Sequence, residues 1–251
     1  MNTKIIGTTM PVLEVGLNPG EAIIAVSGEL SWMTSAIEMN TTTQHGGGGG
    51  FFGVLSRAVG GASIFMTEYT APRAPGMVAF AAKLPGHIVP VEISPSMNYM
   101  VHRQGFLCGS PTLQISSGFQ QSLGAGIFGG NGFVLQKIAG QGQAWIELGG
   151  EVVTYDLAAG ETLRVHPGHV GMFEGSVNFE ITCIRGIKNM LFGGDGIFLA
   201  SLTGPGRVWL QTLTMSNLAH ALAPYLPTGG QAATDVGAGA VIGSVLRGMS
   251  R

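Results

Sequence analysis

The sequence predicts an all-β fold built from three similar units, and three observations lead to this prediction. The first is a repeated motif: residues 128–135 (Phe-Gly-Gly-Asn-Gly-Phe-Val-Leu) return as residues 192–199 (Phe-Gly-Gly-Asp-Gly-Ile-Phe-Leu), with a weaker copy at residues 59–66. The second is glycine, 42 of 251 residues, placed between short runs of β-branched and aromatic side chains. The third is a hydrophobic fraction of 45%, which argues against a disordered chain. Many short strands joined by many turns follow from this pattern.

The spacing of the copies divides the chain into one domain and a tail. We expect residues 1–226 to form a single all-β domain and residues 227–251 a tail rich in glycine and alanine. Within the domain, the three internal repeats are expected at about residues 10–82, 83–150 and 155–213. A glycine turn is expected near the start of each repeat, at residues 17–21, 84–87 and 157–161.

The later repeats are expected to end in a β-hairpin that reverses at closely spaced glycines. Tight reversals require a positive φ, which glycine adopts without steric cost. Trp145 and Trp209 occupy the same position after each glycine pair, so both are predicted to be core residues. The strands expected in these hairpins are residues 132–138 with 144–148 and residues 197–202 with 208–213, and an earlier hairpin is expected from residues 12–15 and 22–26.

Charge and hydropathy indicate what the surface is for. Only 10% of residues are charged and the mean hydropathy is +0.35, whereas about a quarter of residues are charged in typical soluble domains. The sequence therefore predicts extra apolar surface, buried either between subunits or against a membrane, and we expect a homo-oligomer. The formal net charge is −2 and the basic residues form no stripe, which argues against nucleic acid as a partner.

The sequence also favours a cytoplasmic location. Cys108 and Cys183 lie far apart in apolar runs, so we expect two buried thiols rather than a disulfide or a metal site. The sequence contains no basic segment followed by a short apolar core, so we expect no secretory signal. No apolar run reaches the roughly 18 to 20 residues that a membrane-spanning helix requires. We expect a cytoplasmic protein, with association at a membrane surface left open.

The first repeat contains an insertion of a different character. Five glycines at residues 46–50 precede Phe51, Phe52, Leu55 and Val59. Phe51, Leu55 and Val59 recur at helical spacing, which predicts a short amphipathic helix on a flexible tether. We assign Phe51, Phe52, Leu55 and Val59 as a candidate interaction surface for a membrane or a protein partner. The alternative is a helix that fills a gap in the core. A second short helix is expected at residues 216–223.

One set of residues is similar to a metal site. Gly160, His166, His169 and Glu174 follow the order of the first motif of the cupins, which are metal-binding β-barrels. In the cupin pattern one residue separates the two histidines, so both lie on one face of a strand; here Pro167-Gly168 separates them. His166, His169 and Glu174 are the candidate metal ligands of a cupin-like alternative. No other pattern matches a catalytic motif, so we expect a non-enzymatic protein without a cofactor.

Taken together, the motifs resemble the altered-inheritance-of-mitochondria family, most of whose bacterial members are uncharacterised. The resemblance is carried by residues 46–65, by the Phe-Gly-Gly-Asn/Asp-Gly copies and by Gly-x-Gly-x-x-Trp, over about residues 10–226. It implies a fold similar to that of the tryptophan RNA-binding attenuation protein (TRAP-like), with three β units around a pseudo-threefold axis, packed as sandwich-like sheets. Mitochondrial members are linked to inner-membrane organisation, and no catalytic residues carry over to this chain.

The sequence therefore leads to two hypotheses of function. The first is a non-enzymatic, oligomeric β protein that acts as a scaffold or a membrane-surface adaptor. The second is a cupin-like protein that binds a small molecule or a metal through His166, His169 and Glu174. RNA binding is disfavoured, because likeness of fold does not give function and the charges are balanced.

Overall fold

The structure, a computed structural model, describes residues 1–42, 66–121, 133–184 and 197–225. These residues form nineteen β-strands with one short α-helix, which confirms the prediction of an all-β fold. The chain divides into one compact unit at residues 1–216 and a second unit at residues 217–251. The predicted boundary at residue 226 and the tail after it lie outside the described residues.

The strands are short and follow one another along the described chain. The first seven are β1 (Asn2–Ile6), β2 (Val12–Leu17), β3 (Ala22–Val26), β4 (Trp32–Met33), β5 (Glu38–Thr42), β6 (Met66–Thr70) and β7 (Gly76–Ala81). The next six are β8 (Gly86–Ile93), β9 (Tyr99–His102), β10 (Phe106–Gly109), β11 (Leu113–Gln121), β12 (Phe133–Gly140) and β13 (Gly142–Gly149). The last six are β14 (Val152–Leu157), β15 (Thr162–Val165), β16 (Val170–Glu174), β17 (Asn178–Ile184), β18 (Ile197–Thr203) and β19 (Gly206–Gln211).

Helical structure is confined to short segments in the described residues. A 3₁₀ turn at Pro167–His169 precedes β16, and a second one at Ala223–Tyr225 follows α1 (Met215–Leu222). α1 begins one residue before the start predicted from the sequence. No helix in the described part of the chain has the length and apolar character needed to cross a bilayer.

The strands form four antiparallel sheets. The first has the order β1-β2-β7-β4 and the second the order β5-β6-β3-β10-β13-β8. The third has the order β11-β12-β9-β16-β19-β14, and the fourth is β15-β18-β17. Most strands that are consecutive along the chain therefore lie in different sheets, and the exceptions are β1 with β2, β5 with β6, β11 with β12 and β17 with β18.

One pattern of pairing recurs in three groups of six consecutive strands, β2–β7, β8–β13 and β14–β19. In each group the sixth strand pairs with the first and the third, and the fifth pairs with the second and the fourth. Because the pairing is the same, positions can be matched between groups through the partners they face. That the groups are repeats around a pseudo-threefold axis stays a prediction.

The prediction of hairpins is wrong, because the sheet order separates the strands that were expected to pair. The expected strands are present, but β12 and β13 lie in different sheets, as do β18 and β19, and β2 and β3. The glycine turns therefore carry the chain from one sheet to the next. Gly140 has φ of 106°, and a Cβ on it would lie 2.6 Å from the Thr112 carbonyl oxygen. Only glycine fits such a close approach with a positive φ.

One predicted turn falls at a different point of the pattern. The turns at residues 17–21 and 157–161 each connect a first strand to a second strand, and their hydrogen bonds match. The Glu21 carboxylate accepts the N–H of Asn18 at 2.8 Å, and the Glu161 carboxylate accepts the N–H of Ala158 at 2.9 Å. The predicted second copy at residues 84–87 leads instead from β7 into β8, so the matching connection is residues 94–98.

Within the described residues, the core consists of three apolar clusters, and the groups share them. The first cluster joins the first group to Cys108 and Trp145 of the second group. The second cluster joins the second group to Met172 of the third group. The third cluster contains the third group together with Phe133 and Leu135 of the second. Each of the first two clusters thus receives a side chain from the third strand of the following group.

Candidate functional site

The four residues predicted as an interaction surface, Phe51, Phe52, Leu55 and Val59, lie outside the described residues. Their role stays a prediction. Cys108 is buried as expected, and burial raises its thiol pKa well above the ordinary value. Trp145 is buried as predicted, whereas Trp209 is only partly buried, with its ring edge-on to Tyr99 at 5.9 Å between centroids.

The predicted metal ligands are placed by the turn between β15 and β16. His166 precedes the 3₁₀ turn and His169 ends it, with their ring centroids 5.9 Å apart. His169 Nδ1 lies 2.8 Å from the backbone oxygen of Gln211, so its ring donates to that carbonyl. Burial lowers the pKa of His166, and the neighbouring His169 lowers it further.

Glu174 is occupied elsewhere. Its carboxylate accepts the backbone N–H of Arg207 at 3.0 Å, across the pair formed by β16 and β19. Within the described residues, no three histidine, cysteine or acidic side chains come together in a way that could hold a metal ion. The turn therefore brings the two histidines close to each other but does not add a third ligand from the described chain.

A buried carboxylate that sequence reasoning missed lies where the first and second groups meet. Glu147 on β13 is 7% exposed, and its Oε1 accepts the N–H groups of Lys83 at 2.7 Å and Leu84 at 3.3 Å. At the matching place on β19, Gln211 Oε1 accepts the N–H of Gly149 at 3.0 Å. Glu147 thus bonds the segment that links β7 to β8, and Gln211 bonds the last residue of β13, just before the link to β14, so the role of Glu147 is structural.

Two further side-chain interactions lie in this polar region. His102 Nε2 lies 3.1 Å from the Glu147 backbone oxygen, and burial lowers the pKa of His102. Lys83 forms a salt bridge with Glu29 at 2.5 Å. Burial raises the pKa of Glu147, which disfavours its charged form. No sequence motif marks these residues, because they are far apart along the chain.

β4 lies at an open edge of the first sheet. Among the described strands it pairs only with β7. Trp32 is 46% exposed and Met33 is 36% exposed. The third strands of the other groups, β10 and β16, are paired on both sides, and Cys108 and Met172 there are 0% exposed. β4 is therefore exposed because it lacks a neighbour, although its side chains are apolar.

β15 lies at an open edge of the fourth sheet. Among the described strands it pairs only with β18. Val165 at its end is 8% exposed, whereas the matching residues Ala25 on β3 and Val101 on β9 are 0% exposed. Arg164 is exposed to solvent, whereas Ile24, at the matching position on β3, is fully buried. The second strand of the third group is thus also less covered than its counterparts.

The groups pair with one another through their second and third strands. β3, the second strand of the first group, pairs with β10, the third strand of the second group. β9, the second strand of the second group, pairs with β16, the third strand of the third group. β4 is the third strand of the first group and β15 is the second strand of the third group, and neither has such a pairing among the described strands. They form the candidate functional site, which we call the open edges.

Two Streptococcus pyogenes proteins are similar to this chain over most of its length. An uncharacterised protein of Streptococcus pyogenes serotype M6 is 26% identical over 223 residues, covering 87% of this chain and 88% of that protein. A crystal structure of a Streptococcus pyogenes protein matches with a TM-score of 0.71 and 23% identity, covering 90% of this chain and 99% of that one. At this identity, the likeness shows a shared fold and does not assign a function.

The family profile described as mitochondrial biogenesis AIM24 matches residues 3–213. This interval contains all three groups of strands and the glycine turns between their sheets. The chain belongs to the mitochondrial biogenesis AIM24 family, which confirms the resemblance inferred from its glycine motifs.

Proposed function

We propose that this protein is a non-enzymatic scaffold that works as a homo-oligomer. The observation that supports the proposal is the pair of apolar side chains on the open β4 edge, Trp32 and Met33. An edge strand is a template for pairing with another chain, and soluble proteins usually protect such edges with charge, proline or a covering element. β4 carries neither charge nor proline.

The composition supports the same proposal. With only 10% charged residues and a mean hydropathy of +0.35, the chain has fewer charged residues than soluble monomers usually carry, which leads us to expect extra apolar surface. Ile5 and Ile6 on β1, the opposite edge strand of the first sheet, are also about two-fifths exposed, at 40% and 38%. Association of copies would cover part of this surface.

Size-exclusion chromatography with light scattering tests the proposal. The expected result is a mass that is a multiple of 25.9 kDa and that falls on dilution only below the micromolar range. A mass of 25.9 kDa at all concentrations contradicts the scaffold proposal, because no self-association would then exist.

We further propose that the oligomer binds a membrane surface through Phe51, Phe52, Leu55 and Val59. The support is the helical spacing of these apolar residues after five glycines. Several weakly binding helices held in one oligomer bind a surface more tightly than one helix alone.

Liposome flotation tests the membrane half of the proposal. The wild type is expected to float with vesicles, and a Phe51→Asp, Phe52→Asp variant is expected to stay in the lower fraction. The matched control is Val153→Asp with Tyr155→Asp, which changes two exposed apolar residues of β14 to the same charge. Absence of the wild type from the lipid fraction removes this half of the proposal.

A cupin-like metal protein is the alternative, favoured by the proximity of the His166 and His169 rings. Elemental analysis of the purified protein decides between the scaffold proposal and this metal-binding alternative. Stoichiometric transition metal that is lost in His166→Ala would support the alternative. Absence of such metal would remove it.

A further inference from the structure

We infer that β4 of one copy pairs in antiparallel fashion with β15 of a second copy, so that copies join head to tail. This inference rests on the self-association proposed above and names the surfaces that carry it. The partner is a second copy of this chain. The three groups of strands already join one another in the same way.

Within the chain, the second strand of one group pairs with the third strand of the next group at both junctions, β3 with β10 and β9 with β16. A chain of three groups has two such junctions. The third strand of the first group and the second strand of the third group are left without a pairing of this kind. Those are β4 and β15, and each has only one neighbour among the described strands. The two leftover edges are therefore complementary.

β4 lies on β7 in the same register as β10 on β13 and β16 on β19. Trp32 faces Ala79 of β7, Cys108 faces Trp145 of β13, and Met172 faces Trp209 of β19. Each facing residue is the fourth of its sixth strand, counting from Gly76, Gly142 or Gly206, so Trp32, Cys108 and Met172 occupy one position. The matched hydrogen bonds of the turns at Glu21 and Glu161 align β15 with β3 in the same way.

The register of the junction follows from these matches. Cys108 faces Ala25 and Gly109 faces Ile24 where the first two groups meet. Ala25 matches Val165 and Ile24 matches Arg164. In the pair of copies, Trp32 is therefore opposite Val165 and Met33 is opposite Arg164.

The apolar clusters follow the same pattern. The first cluster includes Cys108 and the second includes Met172, each contributed by the third strand of the following group. Among the described residues, the third cluster has no such contributor, although it includes Val165. Trp32 of a second copy, placed opposite Val165, would fill this position. The 46% exposure of Trp32 and the 8% exposure of Val165, against 0% for Ala25 and Val101, are thus explained together.

The backbone of β4 has a hydrogen-bond donor on its open side. The N–H of Thr34 donates to the carbonyl of Met77 at 2.9 Å, on the side of β7. Backbone groups alternate in direction along an antiparallel strand, so the N–H of Met33 points away from β7, to the open side. A second copy that supplies β15 provides an acceptor for it. Head-to-tail contacts of this kind generate rings if they close and filaments if they do not.

Disulfide trapping tests the inference in the full-length chain. Residues opposite each other in an antiparallel pair have Cα atoms about 4.5–5.5 Å apart, within the range of a disulfide. We would introduce Met33→Cys and Arg164→Cys, separately and together, into a chain with Cys183→Ser. Cys108 can remain, because burial raises its thiol pKa and disfavours the reactive thiolate.

The expected outcome is specific to a head-to-tail contact. Neither single variant cross-links alone, a mixture of the two gives a disulfide-linked dimer, and the double variant gives a ladder of multimers. Cross-linking of Met33→Cys with itself overturns the inference, since β4 would then pair with β4. A double variant that forms a disulfide within one chain also overturns it.

A backbone variant provides the second readout. Met33→Pro deletes the N–H that points to the open side, and the preceding residue is already extended. Its mass is expected to fall to 25.9 kDa with an unchanged β-type circular dichroism spectrum, whereas the matched Met33→Val keeps the wild-type mass. An oligomeric wild type whose mass survives Met33→Pro refutes the pairing of β4 with β15 but leaves the scaffold proposal standing. A monomeric wild type refutes both.

Discussion

The buried carboxylate of Glu147 offers a quantitative test of how the groups are linked. Glu147→Ala removes the acceptor of the Lys83 and Leu84 N–H groups, which belong to the segment between β7 and β8. A buried donor left without an acceptor costs about 1–3 kcal/mol. Since Lys83 is exposed and water can reach part of this segment, we take the lower end for each donor and expect a loss of about 2–3 kcal/mol in the free energy of unfolding.

Glu147→Gln separates the hydrogen bonds from the charge. The amide keeps an acceptor oxygen, and Gln211 already performs the same role at the matching place, donating from Nε2 to the Gly168 carbonyl at 3.2 Å. Burial raises the pKa of Glu147 above its ordinary value of 4.5, so the folded state binds more protons than the unfolded state just above that pH. The contribution of Glu147 to stability therefore falls as pH rises from 4.5 through the folded pKa.

Urea unfolding at a series of pH values measures both effects. Glu147→Gln is expected to become more stable relative to the wild type as pH rises from mildly acidic to neutral, and Glu147→Ala is expected to be destabilised throughout. Glu92→Gln, at an exposed position on β8, controls for the chemical change itself. A pH-independent difference between the wild type and Glu147→Gln would refute the reasoning, because Glu147 would then titrate alike in both states.

The remaining predictions concern the turns and the core, and thermal or urea unfolding measures each. Gly140→Ala combines a positive φ with a Cβ 2.6 Å from the Thr112 carbonyl oxygen, so we expect a loss of about 2–4 kcal/mol. Gly160→Ala, with φ of 81° and no atom within 4 Å of the added Cβ, should cost only about 1 kcal/mol, and equal losses would contradict the role of the close approach. Trp145→Ala should cost about 3–5 kcal/mol, since Trp145 is 1% exposed. Trp209→Ala should cost less, because Trp209 is only partly buried; the reverse order would contradict the match between burial and stability.

Several of the strands and turns were accessible from the sequence. Glycine positions and apolar runs locate β12, β13, β18 and β19 within a few residues of their observed bounds. These features depend on local preferences, namely the positive φ that glycine tolerates and the β propensity of branched and aromatic residues. The family resemblance rested on the same glycine motifs, and it is confirmed.

The pairing of the strands was not accessible in the same way. Consecutive strands with a tight glycine turn predict a hairpin, but Gly140 and Gly142 carry the chain between two sheets instead. Which partner a strand takes depends on residues far away along the chain, because pairing is decided by how both faces are buried. The turn at residues 84–87 illustrates the same limit, since its Leu-Pro-Gly sequence imitates a connection that the second group makes at residues 94–98.

The candidate site follows this division between local and long-range information. The sequence by itself determined the fold class, the positions of several strands, the glycines that must reverse the chain and the family. Only the tertiary structure decided that Glu147 binds a linking segment and that β4 and β15 are left without a second neighbour. An open edge cannot be recognised from the strand that forms it, because it is defined by the absence of a partner. Trp32 and Arg164 become informative only when compared with Cys108 and Ile24, the buried residues at the matching positions.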